Sequence, residues 1–147
     1  MDETLRRIAD ALDAVQSKSG ETWSPLSTYV NSGLIEVETG AEVGKMAYGT
    51  GRVPFIRTSD IVDLELRRDT RHCVGDGFYS AYKAKAGVIP GDVLIVRDGT
   101  YLVGSSALVT DEDGPALICG GIYRLRVKKD SELLPDTLLL ALNLPLV

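Results

Sequence analysis

Apolar residues recur along this chain with two different periods, and the changes of period divide it into helical and extended parts. Near the start, Leu5, Ile8, Ala9, Leu12 and Val15 fall on one helical stripe. Asp2 and Glu3 suit the positive end of the dipole and Gly20 can close the far end, so the spacing predicts a helix over residues 3 to 18. Its stripe either packs on the chain's own domain or docks on a partner, and the pattern is compatible with both. After Trp23 and the stretch WSPLSTYV, a strand is expected around Leu34 to Glu38. Residues 40 to 51, spaced by Gly40, Gly44, Gly49 and Gly51, read as a flexible surface loop carrying Lys45, Tyr48, Thr50 and Arg52.

Two short apolar runs then stand out: VPFIRTSDI (residues 53 to 61) and GDVLIVRDGTYLVG (residues 91 to 104). By the two-residue period of a strand, Val53, Phe55 and Arg57 share one face and Pro54, Ile56 and Thr58 the other. In the second run Val93, Ile95 and Arg97 alternate with Leu94, Val96 and Asp98. Both faces are apolar until the arginine, which predicts strands buried on both sides with a guanidinium at the rim. A planar, permanently charged group with five donors in that position suits phosphate, carboxylate or guanine recognition.

Between and after these runs, Ile61 to Leu66 is expected to be extended and Arg67 to Gly77 irregular, while Phe78 to Ala86 fits a short helix or an extended segment. Pro90-Gly91-Asp92 is a turn, and Asp98-Gly99 is the strongest hairpin signal in the chain, predicting that Thr100 to Val103 returns antiparallel. Leu108 to Thr110, Leu117 to Cys119 and Ile122 to Val127 extend a mainly antiparallel sheet around the turn DEDGP (residues 111 to 115). Gly120-Gly121 between two strands predicts a bulge or a close backbone approach. Pro135 is placed for the first turn of a final helix, with Leu138, Leu139 and Leu142 as its buried face and Pro145 ending it. The expected class is α+β: a mainly antiparallel, irregular sheet with an N-terminal and a C-terminal helix. Residues 1 to 20 form the first helix and residues 21 to 147 a single domain.

At 147 residues, 44% hydrophobic and 25% charged, the composition is that of one globular domain. The start lacks a basic, apolar leader and the apolar stretches are too short to span a bilayer, so a cytoplasmic protein without a membrane partner is expected. His72 is the only histidine, and Cys73 and Cys119 have no metal-ligand spacing, so free structural thiols and no metal or cofactor are expected. The glycine loop GKMAYGTGRVP is no nucleotide fingerprint, because a strand rather than a helix follows it. The net charge of −5 weighs against a nucleic-acid binder, but its distribution changes the picture. Residues 45 to 97 hold nine basic and six acidic groups, whereas both flanking segments are net acidic.

The order YGTGRVPFIRTSDI, GDVLIVRDGTYLVGSSALV, GGIYRLRV and LLPDTLLLALN resembles the target recognition domain of type I restriction-modification specificity subunits. A similar domain ends some fused adenine-N6 DNA methyltransferase/restriction enzymes. The likeness covers about Trp23 to Leu144, and several ordered blocks at matching spacing are more specific than any one alone. It implies a non-catalytic domain that reads part of a duplex DNA target, a partner methyltransferase subunit and, in some systems, a restriction subunit. Such subunits usually carry two domains separated by long helices. With one domain here, three readings stay open: a half-subunit that forms a homodimer, a domain excised from a longer chain, and a truncated reading frame.

On that reading, Arg57 and Arg97 are the expected base readers, each worth about 1 to 3 kcal/mol if bidentate to guanine. Thr58, Ser59, Tyr101 and Ser105 supply shorter hydrogen-bonding groups beside them, and Tyr48 joins from the glycine loop. Lys45, Arg52, Arg67 and Arg68 are expected to anchor the DNA backbone. The competing account of the two arginines is structural: Arg57 paired with Asp60, and Arg97 with Asp92 or Asp98. Two other functions compete, a protein-interaction module without DNA contact and a serine-lysine peptidase. The peptidase needs a lysine beside Ser59, Ser105 or Ser106 on an apolar strand, and the sequence offers none.

Overall fold

The computed structural model describes residues 25–99 and 102–144; the predicted helix over residues 3 to 18, the boundary near residue 20, Thr100, Tyr101 and Pro145 lie outside them. The described chain begins with a short helix, α1 (Leu26–Asn31), and continues into β1 (Ile35–Thr39), close to the predicted strand. The first arginine-ended run forms β2 (Val53–Ile56), and the second forms β6 (Val93–Val96). Between them lie β3 (Ile61–Val62), β4 (Glu65–Leu66), β5 (Cys73–Val74) and helix α2 (Asp76–Ala86). After β6 come β7 (Ser106–Leu108), β8 (Leu117–Ile118), β9 (Ile122–Val127) and the closing helix α3 (Pro135–Asn143).

The strands form three sheets. The largest is wholly antiparallel, in the order β1-β9-β6-β7, and the second, β5-β2-β8, pairs β2 with β8 in parallel. β3 and β4 make a separate hairpin. This is the expected α+β class with mainly antiparallel strands and a C-terminal helix.

The buried residues explain why VLIV of β6 is apolar on both sides. Leu94 and Val96 join one core with Phe55, Ile56, Leu117, Ile118 and Ile122. Val93 packs in a second core with Ile35, Leu125, Leu138 and Leu139, where α3 covers the large sheet. Pro135 occupies the first turn of α3 as predicted, since its missing N–H would lack a partner there in any case. At the other end of α3, the Asn143 amide donates to the Ser106 hydroxyl at 2.7 Å.

Four expectations need correction or completion. Ile61 to Leu66 is not a continuous extended segment but a two-residue hairpin, with Asp63 and Leu64 both at positive φ (54° and 70°). Such a turn is ordinarily signalled by Asn-Gly or Asp-Gly, and Asp63-Leu64 gives no such signal. Among the described residues, the antiparallel return after Asp98-Gly99 is β7, which starts at Ser106, with Leu102 and Val103 of the expected strand lying before it. The N–H groups of Arg97 and Asp98 both donate to the Gly121 carbonyl, at 2.9 and 3.3 Å, which keeps the chain beside β9 and lengthens the loop. The irregular stretch from Arg67 to Gly77 contains β5 and a helical turn, Thr70–His72. Finally, Phe78 to Ala86 is helical: Asp76 and Lys83 with Lys85 complement the dipole, and Phe78 stacks on Tyr82 one turn later at 4.5 Å.

Candidate functional site

The two arginine-ended strands belong to different sheets, yet their ends converge. At Cys119–Gly121 the chain leaves β8 and crosses to start β9, and this crossover is held by backbone hydrogen bonds from both sides. The Cys119 N–H donates to the Ile56 carbonyl at 2.9 Å, and the Gly120 N–H to the Ala41 carbonyl at 3.0 Å. The predicted close approach at Gly120-Gly121 is present. A β-carbon on Gly121 would stand 2.8 Å from the Thr58 methyl and 3.7 Å from Asp98, and one on Gly120 would run into the Glu42 carboxylate. The rim so formed brings Thr58, from the end of β2, beside Arg97 and Asp98, from the end of β6.

The two arginines differ in what they hold. Arg57 grips Asp60 with Nε and Nη2 at 3.3 and 3.1 Å, reaches Asp69 at 3.4 Å, and sets Nη1 3.2 Å from the His72 ring. Asp60 also accepts the Arg57 backbone N–H at 2.8 Å, so the pair closes the turn at Thr58–Asp60. Asp69 in turn takes the side chain and backbone N–H of Arg71, and these donors hold its carboxyl well below the usual carboxylate range. Arg57 is thereby built into the scaffold, the structural account of that residue. Tyr48 joins the same cluster: its ring meets His72 edge-on at 5.0 Å and Phe55 at 5.8 Å, so it is half-buried.

Arg97 is placed otherwise. Its guanidinium lies 5.2 Å from the centroid of the Tyr123 ring, and its polar contact among the described residues is Asp98, at 3.5 Å. Asp98 is 72% exposed, so this pair contributes little. The alternative partner for Arg97, Asp92, is fully buried and instead belongs to Arg126, at 2.7 Å.

The remaining expected residues lie on several other segments. Lys45 starts an exposed helical turn, Lys45–Ala47, and Arg52 is also exposed. Their loop is tied down rather than loose, because the Thr50 hydroxyl donates to the Ala47 carbonyl at 2.6 Å and accepts the Gly75 N–H at 3.1 Å. Ser59 is exposed, Ser105 half-buried, and Tyr101 lies outside the described residues. Arg67 pairs with Asp63 at 3.2 Å and Arg68 with Asp113 at 3.5 Å. Arg68 borders a cavity of about 600 Å³ that Asp63, Glu65, Glu112 and Asp113 also line, an acidic setting opposed to anion binding.

Two groups escaped the sequence reading. Tyr123 sits in an alternating strand like any aromatic residue, and only the register of β6 on β9 places it beside Arg97. Arg124 and Arg126 share a strand face by their spacing, a signal the sequence does contain. Arg124 is 1% exposed and donates to the Gly87 carbonyl at 2.6 Å and to Glu36 at 2.8 Å. Among the described residues no cluster of His, Cys, Asp and Glu fits a metal ion, and no helix is long and apolar enough to cross a membrane.

No family model matches this chain, and no curated protein matches it. Solved structures do share its fold. The HsdS subunit from Thermoanaerobacter tengcongensis is 24% identical, with a TM-score of 0.54 over 75% of this chain and 25% of its own. A chain from a structure addressing complex assembly and conformational transition of the type I R-M system is 20% identical, with a TM-score of 0.56 over 95% of this chain and 37% of its own. The fold is therefore that of a module found within HsdS, in agreement with the resemblance carried by the sequence blocks. This chain spans between a quarter and two-fifths of the length of those proteins.

Proposed function

We propose that this chain is a target recognition domain of the type I specificity class, a non-catalytic module that binds duplex DNA and directs a partner adenine methyltransferase, with a restriction subunit in some systems. The observation that carries the reading is the likeness in fold to an R-M system chain over 95% of this one. The crossover rim adds the chemistry: Thr58, Ser59, Arg97 and Ser105 offer base-reading donors and acceptors, while exposed Lys45 and Arg52 supply phosphate anchors. Arg57 closes the Thr58–Asp60 turn that carries Thr58 and Ser59, and Tyr48 packs on His72 and Phe55. A half-subunit reading predicts two copies of this chain in the complex, and sizing the complex checks it.

The test is duplex binding by the purified chain, alone and with its methyltransferase subunit, across a salt series. Affinity should fall steeply, with a log–log slope of about −0.9 per phosphate neutralised, and removing Lys45 or Arg52 should reduce that slope by about 1. An assembled complex that ignores duplex DNA at low salt would falsify the reading. The acidic cavity at Asp63, Glu65, Glu112 and Asp113 favours a second reading, a protein-interaction module without DNA contact. Co-purification with the methyltransferase and no DNA binding would establish that one. All five described lysines are exposed, so among the described residues none is the buried lysine that the peptidase reading requires.

A further inference from the structure

We propose that Tyr123 is a positioning residue that aims the Arg97 guanidinium, and that this pair reads one guanine of the target; the proposal rests on the DNA-reading function above. The register of the large sheet sets Ile95 opposite Tyr123, and Arg97 follows Ile95 by two residues with its N–H on the Gly121 carbonyl. Arg97 and Tyr123 are therefore diagonal neighbours on one face of adjacent strands, close enough for long and aromatic side chains to touch. The residue across from Arg97 is Gly121, so no β9 side chain separates the guanidinium from the ring.

The distance of 5.2 Å from guanidinium to ring centroid lies within the cation–π range of about 6 Å. A cation–π contact of this kind restrains where the fork lies while using none of its N–H donors. Arg57 offers the contrast, since its donors already serve Asp60 and Asp69. Among the described residues, the one carboxylate that Arg97 meets is that of exposed Asp98, at the limit of hydrogen-bonding distance, and a contact of that kind is released at little cost. A partly exposed planar fork held against a ring, with its donors left available, suits the paired acceptors O6 and N7 of guanine in the major groove. A phosphate anchor needs no such orientation, and flexible lysines serve as well.

The experiment uses the full chain with its methyltransferase subunit. A preferred site is selected from randomised duplexes, and affinity is then measured for every single-base variant of it and for 7-deazaguanine at each guanine. The wild-type protein should discriminate one guanine by about 5- to 150-fold and lose most of that with the 7-deaza base. R97A and R97K should abolish discrimination at that position alone. Y123L should weaken it with the salt slope unchanged, and Y123F, which keeps the ring, should restore it. The inference is overturned if Y123L reads the site as wild type does, or if R97A lowers affinity equally for all sequences and reduces the salt slope by about 1, the behaviour of a phosphate contact. Should Y123L or R97A fold poorly, the 7-deazaguanine series on the wild-type protein with R97K still decides the guanine contact, and Y123F against wild type shows whether the hydroxyl has any part. A complex that binds no duplex at all refutes the function itself, an outcome distinct from binding without Arg97-dependent selectivity.

Discussion

Arg126 holds the fully buried carboxylate of Asp92 with two hydrogen bonds, Nε to Oδ1 at 2.7 Å and Nη2 to Oδ2 at 2.8 Å. The same carboxylate accepts the Ile89 N–H at 2.8 Å, so it closes the turn that feeds β6 and ties that turn to β9. The carboxylate raises the Arg126 guanidinium above its ordinary pKa, chiefly through this side-chain hydrogen bond. Truncating the arginine strands a buried charge. R126M should lower unfolding free energy in urea by about 3 to 5 kcal/mol, whereas the double variant D92L/R126M should lose less. Equal losses would mean that the pair is not the source of the effect.

Arg57 and Arg97 should separate cleanly in their effects. R57A leaves Asp60 and Asp69 without a partner that ties them together and should cost about 1 to 3 kcal/mol of stability. R97A loses an exposed contact and should stay within about 0.5 kcal/mol of wild type. Urea titrations of the two variants side by side check this, and the reverse order would show that Arg97 carries the scaffold.

At the crossover, small size is required rather than backbone freedom. A β-carbon on Gly40 would collide with the backbone carbonyls of Ile118 and Cys119, whereas one on Gly121 meets mainly the Thr58 methyl at 2.8 Å. Backbone cannot step aside as a side chain can, so G40A should destabilise by about 1 to 3 kcal/mol and G121A by less. Thermal melts of both proteins give the ranking.

Asp69 makes stability depend on acid. Hydrogen bonds from Arg71 depress its carboxyl in the folded state below the ordinary value of 3.8. The unfolded chain therefore takes up the proton first, so the contribution of Asp69 is complete at neutral pH. It is lost as pH falls through the carboxylate range. Wild type should lose stability between about pH 5 and pH 2 more steeply than D69N does. Parallel curves for the two proteins would rule this out.

Burial pushes the Cys119 thiol above its ordinary pKa, with the negative charges of Glu42 and Asp60 adding to it. The thiolate is the reactive form, so alkylation of Cys119 at pH 7.5 should be slow in the folded protein and fast in denaturant. Mass spectrometry of iodoacetamide-treated protein, reading Cys119 apart from Cys73, measures both rates.

Strand existence and the closing helix were legible in the sequence because they rest on local periodicity. VPFI and VLIV lie close to where alternation and burial predict them, and Pro135 with Leu138 and Leu139 marks a helix by spacing alone. The Asp63-Leu64 turn was not legible, because tertiary contacts hold two residues at positive φ without glycine. One such contact is the Leu108 N–H on the Leu64 carbonyl at 3.4 Å.

By itself, then, the sequence determined the α+β class, the two rim arginines and the glycine pair that permits close approach. It could not tell the two arginines apart, since each follows a similar strand and has an aspartate within three residues. That distinction depends on residues far away in the chain: Asp69 and His72 surround Arg57, whereas the crossover and β9 bring Gly121 and Tyr123 to Arg97. Strand pairing between distant segments has no local signature, so only the tertiary structure decided which guanidinium is locked in the scaffold and which is presented at the rim.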